Sequence, residues 1–207
     1  MKQTIGTLSL FIILLIGGVF LLQSRAAQLS GGIEQGSNQK SNQDLNSDPS
    51  CIPTFRDDDG PYYQPNSPFR EIFVPDDSSL ERFVVSGKVV SSDCSTPLSN
   101  VVLDVWHADD GGNYSDQWYR GRVRTNSTGE YKFTTVLPKG YSEGTSYRSP
   151  HIHFKIWDED VLLVTSKMYL PEALNNNIDL AYTLQLSGKN EDGIITHYGS
   201  HTIIVPE

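Results

Sequence analysis

The chain has 207 residues, of which 37% are hydrophobic and 20% are charged, and its formal net charge is −9. These proportions are typical of a globular protein, and the length suits one domain with extensions. The acidic balance argues against nucleic acid as a partner, because the sequence offers no basic patch to neutralise phosphates.

The chain begins with an apolar segment. Residues 4–22 are uncharged, with Lys2 before them and Arg25 after them. This length is near the lower limit for a membrane span, and the small-x-small sequence at 24–26 is typical of a signal-peptide cleavage site. Residues 1–26 are therefore predicted to be a cleaved signal peptide or an uncleaved anchor that tethers the protein through residues 4–22. Both alternatives predict an exported domain, either secreted or periplasmic or held at the membrane.

A polar segment follows the apolar one. Residues 27–50 are rich in Ser, Asn, Gln and Gly, which predicts a flexible tether because such a segment cannot bury enough surface to order itself. The folded domain is predicted to span residues 51–207. The two cysteines, Cys51 and Cys94, suggest one disulfide in an exported protein, and two free thiols are the alternative.

The folded part opens with an irregular entry rich in Pro and Asp, residues 53–75. Short, alternating and β-branched runs then follow one another, separated by turn signals, and no segment shows a sustained helical period. This pattern predicts an all-β fold, an antiparallel β-sandwich or barrel-like core with long connecting loops. Strands are predicted over residues 83–90, 101–107, 121–125, 130–136, 151–157, 162–169, 182–186 and 202–205.

Two histidines stand at i and i+2 in the predicted strand 151–157. Successive side chains of a strand point to opposite faces, so His151 and His153 are predicted to project from the same face. Two imidazoles on one rigid face make half of a metal site. On this spacing alone, a polar strand face is the alternative. No HExxH motif or carboxylate-rich calcium loop accompanies them.

Tyrosine is the next candidate ligand, because the chain has ten. Tyr114 follows a Gly-Gly-Asn turn and Tyr141 follows Gly140, and glycine lets the backbone turn sharply beside a metal-facing side chain. Tyrosinate forms only beside a strong Lewis acid, and Fe³⁺ is such an acid. Two tyrosinates and two neutral imidazoles would leave a ferric site with a net charge of about +1, which suits an anionic, oxygen-rich substrate.

Several motifs occur in a recognisable order. Taken together they resemble the intradiol ring-cleavage dioxygenases, and in particular the catalytic subunit of protocatechuate 3,4-dioxygenase and its short exported relatives. The resemblance covers residues 83–170. It is carried by VWHAD at 105–109, GNY at 112–114, GEYKFTT at 129–135, PKGY at 138–141 and RSPHIHF at 148–154.

The resemblance implies one non-haem Fe³⁺ per domain, held by Tyr114, Tyr141, His151 and His153. It also implies cleavage of a catechol-type aromatic diol by O₂ to a cis,cis-muconate-type dicarboxylate, with both oxygen atoms incorporated. Tyr141 would take up a substrate proton, and Arg148 would stabilise charge on the bound substrate. The alternative is an exported β-sandwich that binds a metal or another ligand without turnover.

The chain departs from the family pattern at places that concern the pocket. Tyr141 is followed by residues 142–144, a looser segment than the Pro-rich one of the family. The intervals between the ligands are short, which predicts that loops walling the pocket are reduced. Lys167 replaces a family glutamine, and could attract an acidic substrate or face solvent.

Other polar residues are predicted to lie outside the site. His107, His197 and His201 match no motif and are expected at the surface or in loops. The arginines at 120, 122 and 124 are spaced on one strand face, for which a solvated face is favoured over an anion site. Oligomerisation is possible but is not specified by the sequence.

Overall fold

The computed structural model describes residues 51–76, 81–171, 183–191 and 194–207. The predicted leader, 1–26, and the predicted tether, 27–50, lie outside these ranges. Within them, no helix is long and apolar enough to cross a membrane.

The described residues fold into two four-stranded sheets and a small hairpin. The first sheet has the strand order β4-β1-β10-β9, the second has the order β3-β2-β7-β8, and β5 pairs with β6. The strands are β1 (Arg82–Val90), β2 (Val102–His107), β3 (Arg120–Arg124), β4 (Glu130–Thr135), β5 (Tyr141–Glu143), β6 (Ser146–Arg148), β7 (His151–Asp158), β8 (Val161–Tyr169), β9 (Gln185–Glu191) and β10 (Ile194–Ile204).

The predicted all-β sandwich is confirmed. The pairs within the two sheets and the hairpin are antiparallel except for β1 and β10, which are parallel. The core lies between the sheets, where alternate residues of each strand meet. On β7 these residues are Ile152, Phe154 and Ile156, all fully buried. Burying each such side chain contributes about 1.5–3 kcal/mol.

The second sheet is also covered on the face away from this core. All six residues of β2 and the first six of β7 are buried, which an open sheet face would not allow. The cover is residues 51–63, which we name the entry strap. Its backbone is hydrogen-bonded to both sheets, because the Thr54 N–H donates to Ile204 O and the Asp57 N–H donates to Thr165 O, each at 2.8 Å.

The predicted disulfide is confirmed and fixes the start of the entry strap. Cys51 and Cys94 are bonded, with their Cα atoms 5.7 Å apart. The bond joins the first described residue to the turn after β1. The strap is therefore anchored at one end by a covalent link.

Two strand predictions and one loop prediction differ from the structure. The segment after Tyr141, expected to be loose, forms the hairpin of β5 and β6. The strand expected over 202–205 begins eight residues earlier, because the backbone of β10 pairs with β1 on one side and β9 on the other. The strand expected over 182–186 begins in the described residues at Gln185 and continues to Glu191, at the sheet edge. Backbone pairing extends these strands where side-chain alternation is weak.

Candidate metal centre

The two histidines of β7 meet on the outer face of the second sheet. The Nε2 atoms of His151 and His153 are 3.0 Å apart. Ile152, between them, points into the core and is fully buried. The alternation of the strand therefore brings two imidazole nitrogens to one point beneath the entry strap.

The surroundings of each imidazole fix its orientation. The Nδ1 of His151 is 2.5 Å from the carbonyl oxygen of Ser149, so this nitrogen carries the proton and Nε2 keeps its lone pair. The ring of His153 stacks on Trp106, with centroids 5.0 Å apart and an interplanar angle of 8°. In the part of the chain that the structure describes, His153 Nδ1 is buried without a hydrogen-bond partner.

Both imidazoles are held in the neutral form that a metal requires. Burial lowers the pKa of His151, and burial together with the neighbouring His151 lowers the pKa of His153 to about 2. A neutral imidazole presents its lone pair at neutral pH without first losing a proton.

The two predicted tyrosines form a second pair of donors. The phenol oxygens of Tyr114 and Tyr141 are 3.5 Å apart, and their rings meet edge to face at 90°. The Tyr141 ring centroid is 6.0 Å from that of His151, which joins the two pairs. Gly112, at φ +84°, lets the Tyr114 loop approach closely, because a β-carbon there would lie 3.0 Å from the carbonyl oxygen of Gly140.

These phenols are not acidic by themselves. Burial, and then the hydrogen bond with Tyr141, raises the pKa of Tyr114, and burial raises the pKa of Tyr141. Ionisation at neutral pH therefore requires a strong cation at the oxygens. Among the described residues, no group of three or more His, Cys, Asp or Glu side chains could hold a metal. The tyrosine oxygens are the donors that lie beside the two histidines. The donor set of two phenols and two neutral imidazoles fits ferric iron.

The entry strap supplies contacts that the sequence analysis missed. Tyr62 stacks on Tyr114, with centroids 4.1 Å apart, and Tyr63 packs on Trp106 with centroids 4.7 Å apart. Gly60 lies against His153. The only sequence signal was the Asp-Asp-Asp-Gly-Pro-Tyr-Tyr run at 57–63, where paired aromatics follow a turn-forming dipeptide.

A cavity of about 760 Å³ opens beside the histidines. Its lining includes both imidazoles, three aromatic rings and several charged groups, and a small aromatic molecule fits such a volume. The rings belong to Tyr141, Tyr147 and Tyr169. The cavity therefore joins the candidate metal ligands to a space for an aromatic substrate.

Arg148 lines the same cavity from β6. Its Nε and Nη2 lie 2.9 and 2.7 Å from Glu143 Oε2 across the hairpin, and half of its side chain is exposed. The hydrogen bond and charge of Glu143 raise the pKa of Arg148 further. Nη1 makes no contact with this carboxylate, and so can face a substrate.

Lys167 is largely buried, and its charge is paired with two carboxylates. Its side chain is 12% exposed, and Nζ lies 2.9 Å from Asp57 Oδ2 and 3.2 Å from Asp58 Oδ1. Burial lowers the pKa of Lys167, but the two carboxylates outweigh burial and the pKa is raised. The lysine is therefore a charged anchor for the entry strap.

Two histidines expected at the surface are buried. His107 is 1% exposed, and its ring nitrogens lie 2.7 Å from Ala108 O and from Thr135 Oγ1. His201 is 8% exposed. His107 lies on β2, whose six residues are all buried, and His201 lies on the inward face of β10 with Ile203. Their isolated sequence positions did not reveal this. His197 is less buried and contacts Glu81 at 2.8 Å.

The expectation of a solvated arginine face was wrong for Arg120, which is 3% exposed. Its guanidinium donates to Ser115 O at 2.8 Å and to Tyr62 O at 3.4 Å. Arg120 therefore joins the Tyr114 loop to the entry strap. Arg122 is partly buried, and Arg124 is exposed as predicted.

A second cavity of about 840 Å³ lies at the edge of the sandwich and contains none of the predicted ligands. Arg122 and Arg124 stack on the exposed ring of Phe69 there, with guanidinium-to-centroid distances of 4.4 and 5.0 Å. Arg70 also borders this cavity. The sequence predicted no basic patch, because Arg70 is far in sequence from Arg122 and Arg124, which were expected on a solvated strand face.

The structure is a β-sandwich in which two histidines of one strand meet two tyrosines, one from a loop and one from the hairpin. A model of the dioxygenase family matches residues 58–198. The chain belongs to the intradiol ring-cleavage dioxygenase family.

Known proteins agree with this assignment. An intradiol ring-cleavage dioxygenase of Aspergillus niger is 30% identical over 154 residues, 61% of this chain and 48% of that protein. The dioxygenase domain of a carbohydrate-binding fusion protein from Streptomyces sp. SirexAA-E is 28% identical, with a TM-score of 0.61 over 75% of this chain and 100% of that domain. The 3-chlorocatechol 1,2-dioxygenase of Rhodococcus opacus 1CP shares the fold, with a TM-score of 0.64 over 74% of this chain and 71% of that one at 22% identity. The chain spans about half the length of the Aspergillus relative.

Proposed function

We propose that this protein is an exported, ferric-iron-dependent intradiol dioxygenase. Its substrate is a catechol-type diol, which O₂ opens to a cis,cis-muconate-type dicarboxylate. The observation that carries the proposal is the convergence of two imidazole nitrogens, 3.0 Å apart, and two phenol oxygens, 3.5 Å apart, beside an aromatic-lined cavity. The names of the relatives support the same reaction class.

Tyr114, Tyr141, His151 and His153 would hold the iron. When bound, ferric iron supplies Lewis acidity and a template for both oxygens of the diol. The imidazoles need no deprotonation, and the buried phenols form tyrosinates only when the cation is present. All four donors are therefore neutral without iron, and only the two phenols must lose a proton to bind it.

The other roles follow from position. Tyr141 borders the cavity, so its phenolate can accept a proton from the entering diol and hold it at Oη. Arg148 borders the same cavity and offers Nη1 to negative charge on the ring oxygens. The entry strap covers His153 and excludes water from that side of the site.

Export is part of the proposal. Residues 1–26 act as a signal peptide or as an anchor through residues 4–22, residues 27–50 act as a tether, and residues 51–207 act as the catalytic domain outside the cytoplasm. The disulfide Cys51–Cys94 supports this location, because such bonds persist in oxidising compartments.

The test is the visible absorption spectrum of the iron-loaded full chain, before and after addition of catechol without oxygen. A tyrosinate-to-iron band that shifts with catechol is expected. Tyr114→Phe should weaken this band and reduce turnover by at least about 100-fold, because one anionic donor is lost. Tyr198→Phe, on β10 of the first sheet, is the matched control and should leave both unchanged.

The alternative, a binding module without turnover, predicts a different result. Iron bound without a tyrosinate band, or ligand binding without oxygen uptake when O₂ is admitted, would favour that module over the dioxygenase. In a binding module, Tyr114→Phe and Tyr198→Phe should behave alike, because a module has no need of tyrosinate.

A further inference from the structure

The entry strap places carboxylates on the wall of the cavity. Lys167 lies opposite His153 in the β7–β8 pair, and its ammonium contacts Asp57 at 2.9 Å and Asp58 at 3.2 Å. Asp57 is held by its backbone as well, through the hydrogen bond to Thr165. Because one ammonium faces two carboxylates, this cluster carries one net negative charge.

Asp58 is the member of the cluster that a ligand meets. Its side chain is 79% exposed and borders the cavity, whereas that of Asp57 is 25% exposed. The hydrogen bond and positive charge of Lys167, and more weakly the N–H of Gly60, lower the pKa of Asp58. The carboxylate is therefore ionised at neutral pH.

The other charged side chains that line the cavity do not offset this surplus, and the charge of a bound ferric ion is common to every catechol that the site takes. Arg148 is matched by Glu143, 2.7 Å away, and Asp59 is matched by Lys155, also 2.7 Å away. Each of these pairs is neutral as a whole. The surplus negative charge therefore stays at Asp58, on the strap side of the cavity.

We propose that Asp58 is a specificity-determining residue that disfavours catechols with an anionic ring substituent and favours neutral or cationic ones. The inference rests on the proposed function, because it concerns the substrate of that site. It reverses the expectation that Lys167 attracts an acidic substrate. Repulsion between like charges across a partly screened cavity changes affinity on the order of threefold to tenfold.

The test compares wild type with Asp58→Asn in the iron-loaded full chain. The substrates are 3,4-dihydroxybenzoate, catechol and dopamine, which carry negative, zero and positive ring-substituent charge at neutral pH. The substitution should raise kcat/KM for 3,4-dihydroxybenzoate relative to catechol by about threefold to tenfold and lower that for dopamine. Dissociation constants measured by calorimetry without oxygen should change in the same directions.

Asp158→Asn is the matched control. Asp158 is exposed at the far end of the strand that carries the histidines. It lies roughly 20 Å from His151 by the rise of a β-strand. The control removes the same formal charge from the protein. Because that charge is far from the site, the substitution should leave the ratios between the three substrates unchanged.

The outcomes separate the inference from the proposed function. If both variants turn over catechol and the ratios in Asp58→Asn equal those in Asp158→Asn, the role of Asp58 is wrong and the dioxygenase stands. If wild type turns over no catechol, the proposed function fails, and the calorimetric constants still decide whether Asp58 selects by charge.

Salt gives a second measurement that needs no variant. In wild type, added salt should strengthen binding of 3,4-dihydroxybenzoate and weaken binding of dopamine, because it screens both interactions with the surplus charge. A ratio of the two dissociation constants that does not change with salt would contradict the proposal.

Discussion

Gly60 of the entry strap touches the imidazole of His153. A β-carbon at Gly60 would lie 3.1 Å from Cε1 and 3.4 Å from Nε2 of that ring. The strap backbone thus forms one wall of the candidate metal centre. The strap looks irregular in the sequence, but this contact makes it part of the site.

Gly60→Ala should impair the iron site. Gly60 has φ +63°, so alanine costs about 1–2 kcal/mol of backbone strain, and its methyl group would press on His153. We expect a weaker tyrosinate band per iron and kcat/KM reduced by about tenfold. Absorption spectra and steady-state rates measure both effects.

Gly144→Ala is the control for backbone strain. Gly144 has φ +60°, and a β-carbon there meets nothing within 4 Å. Both variants should lose similar stability in urea unfolding, but only Gly60→Ala should change the spectrum. Equal spectra in the two variants would show that the strap does not shape the site.

The ion pair of Lys155 and Asp59 should anchor the strap. Lys155 is 6% exposed, its ammonium lies 2.7 Å from Asp59, and it also lies 3.8 Å from the ring centroid of Tyr63. Asp59→Asn leaves a buried ammonium without its carboxylate, and should cost about 1–2 kcal/mol after allowance for the exposure of Asp59.

Lys155→Met removes the buried charge together with its desolvation cost. Methionine keeps an apolar stem against Tyr63, so this variant should be less destabilising than Asp59→Asn. Urea unfolding of the full chain measures the order. A larger loss in Lys155→Met would mean that the ion pair itself, and not the cost of an unpaired ammonium, dominates.

The parts of the site that depend on local patterns could be predicted from the sequence. The shared face of His151 and His153 follows from strand alternation, and the sandwich follows from many short strands. The Tyr114 and Tyr141 assignments rest on motif order, and the structure brings their oxygens to 3.5 Å. These features repeat over a few residues and need no knowledge of distant contacts.

The rest depends on contacts between segments far apart in the chain. Lys167 and Asp58 are 109 residues apart, and Arg120 and Tyr62 are 58 apart. Nothing in the local sequence of Lys167 indicates that two carboxylates neutralise it. The burial of His107 likewise depends on cover from other segments, which no periodicity encodes.

His201 should make the protein less stable in acid. Burial lowers the pKa of His201 to about 4, whereas an unfolded histidine titrates near 6.5. The unfolded chain therefore binds the proton first, and stability falls as pH falls from about 6.5 through 4. His201→Gln should flatten this loss by about 2–3 kcal/mol when unfolding free energies at pH 7 and pH 4 are compared. His197→Gln, at the surface contact with Glu81, is the control. If both variants reduced the pH dependence of the unfolding free energy equally, burial of His201 would be ruled out as its cause.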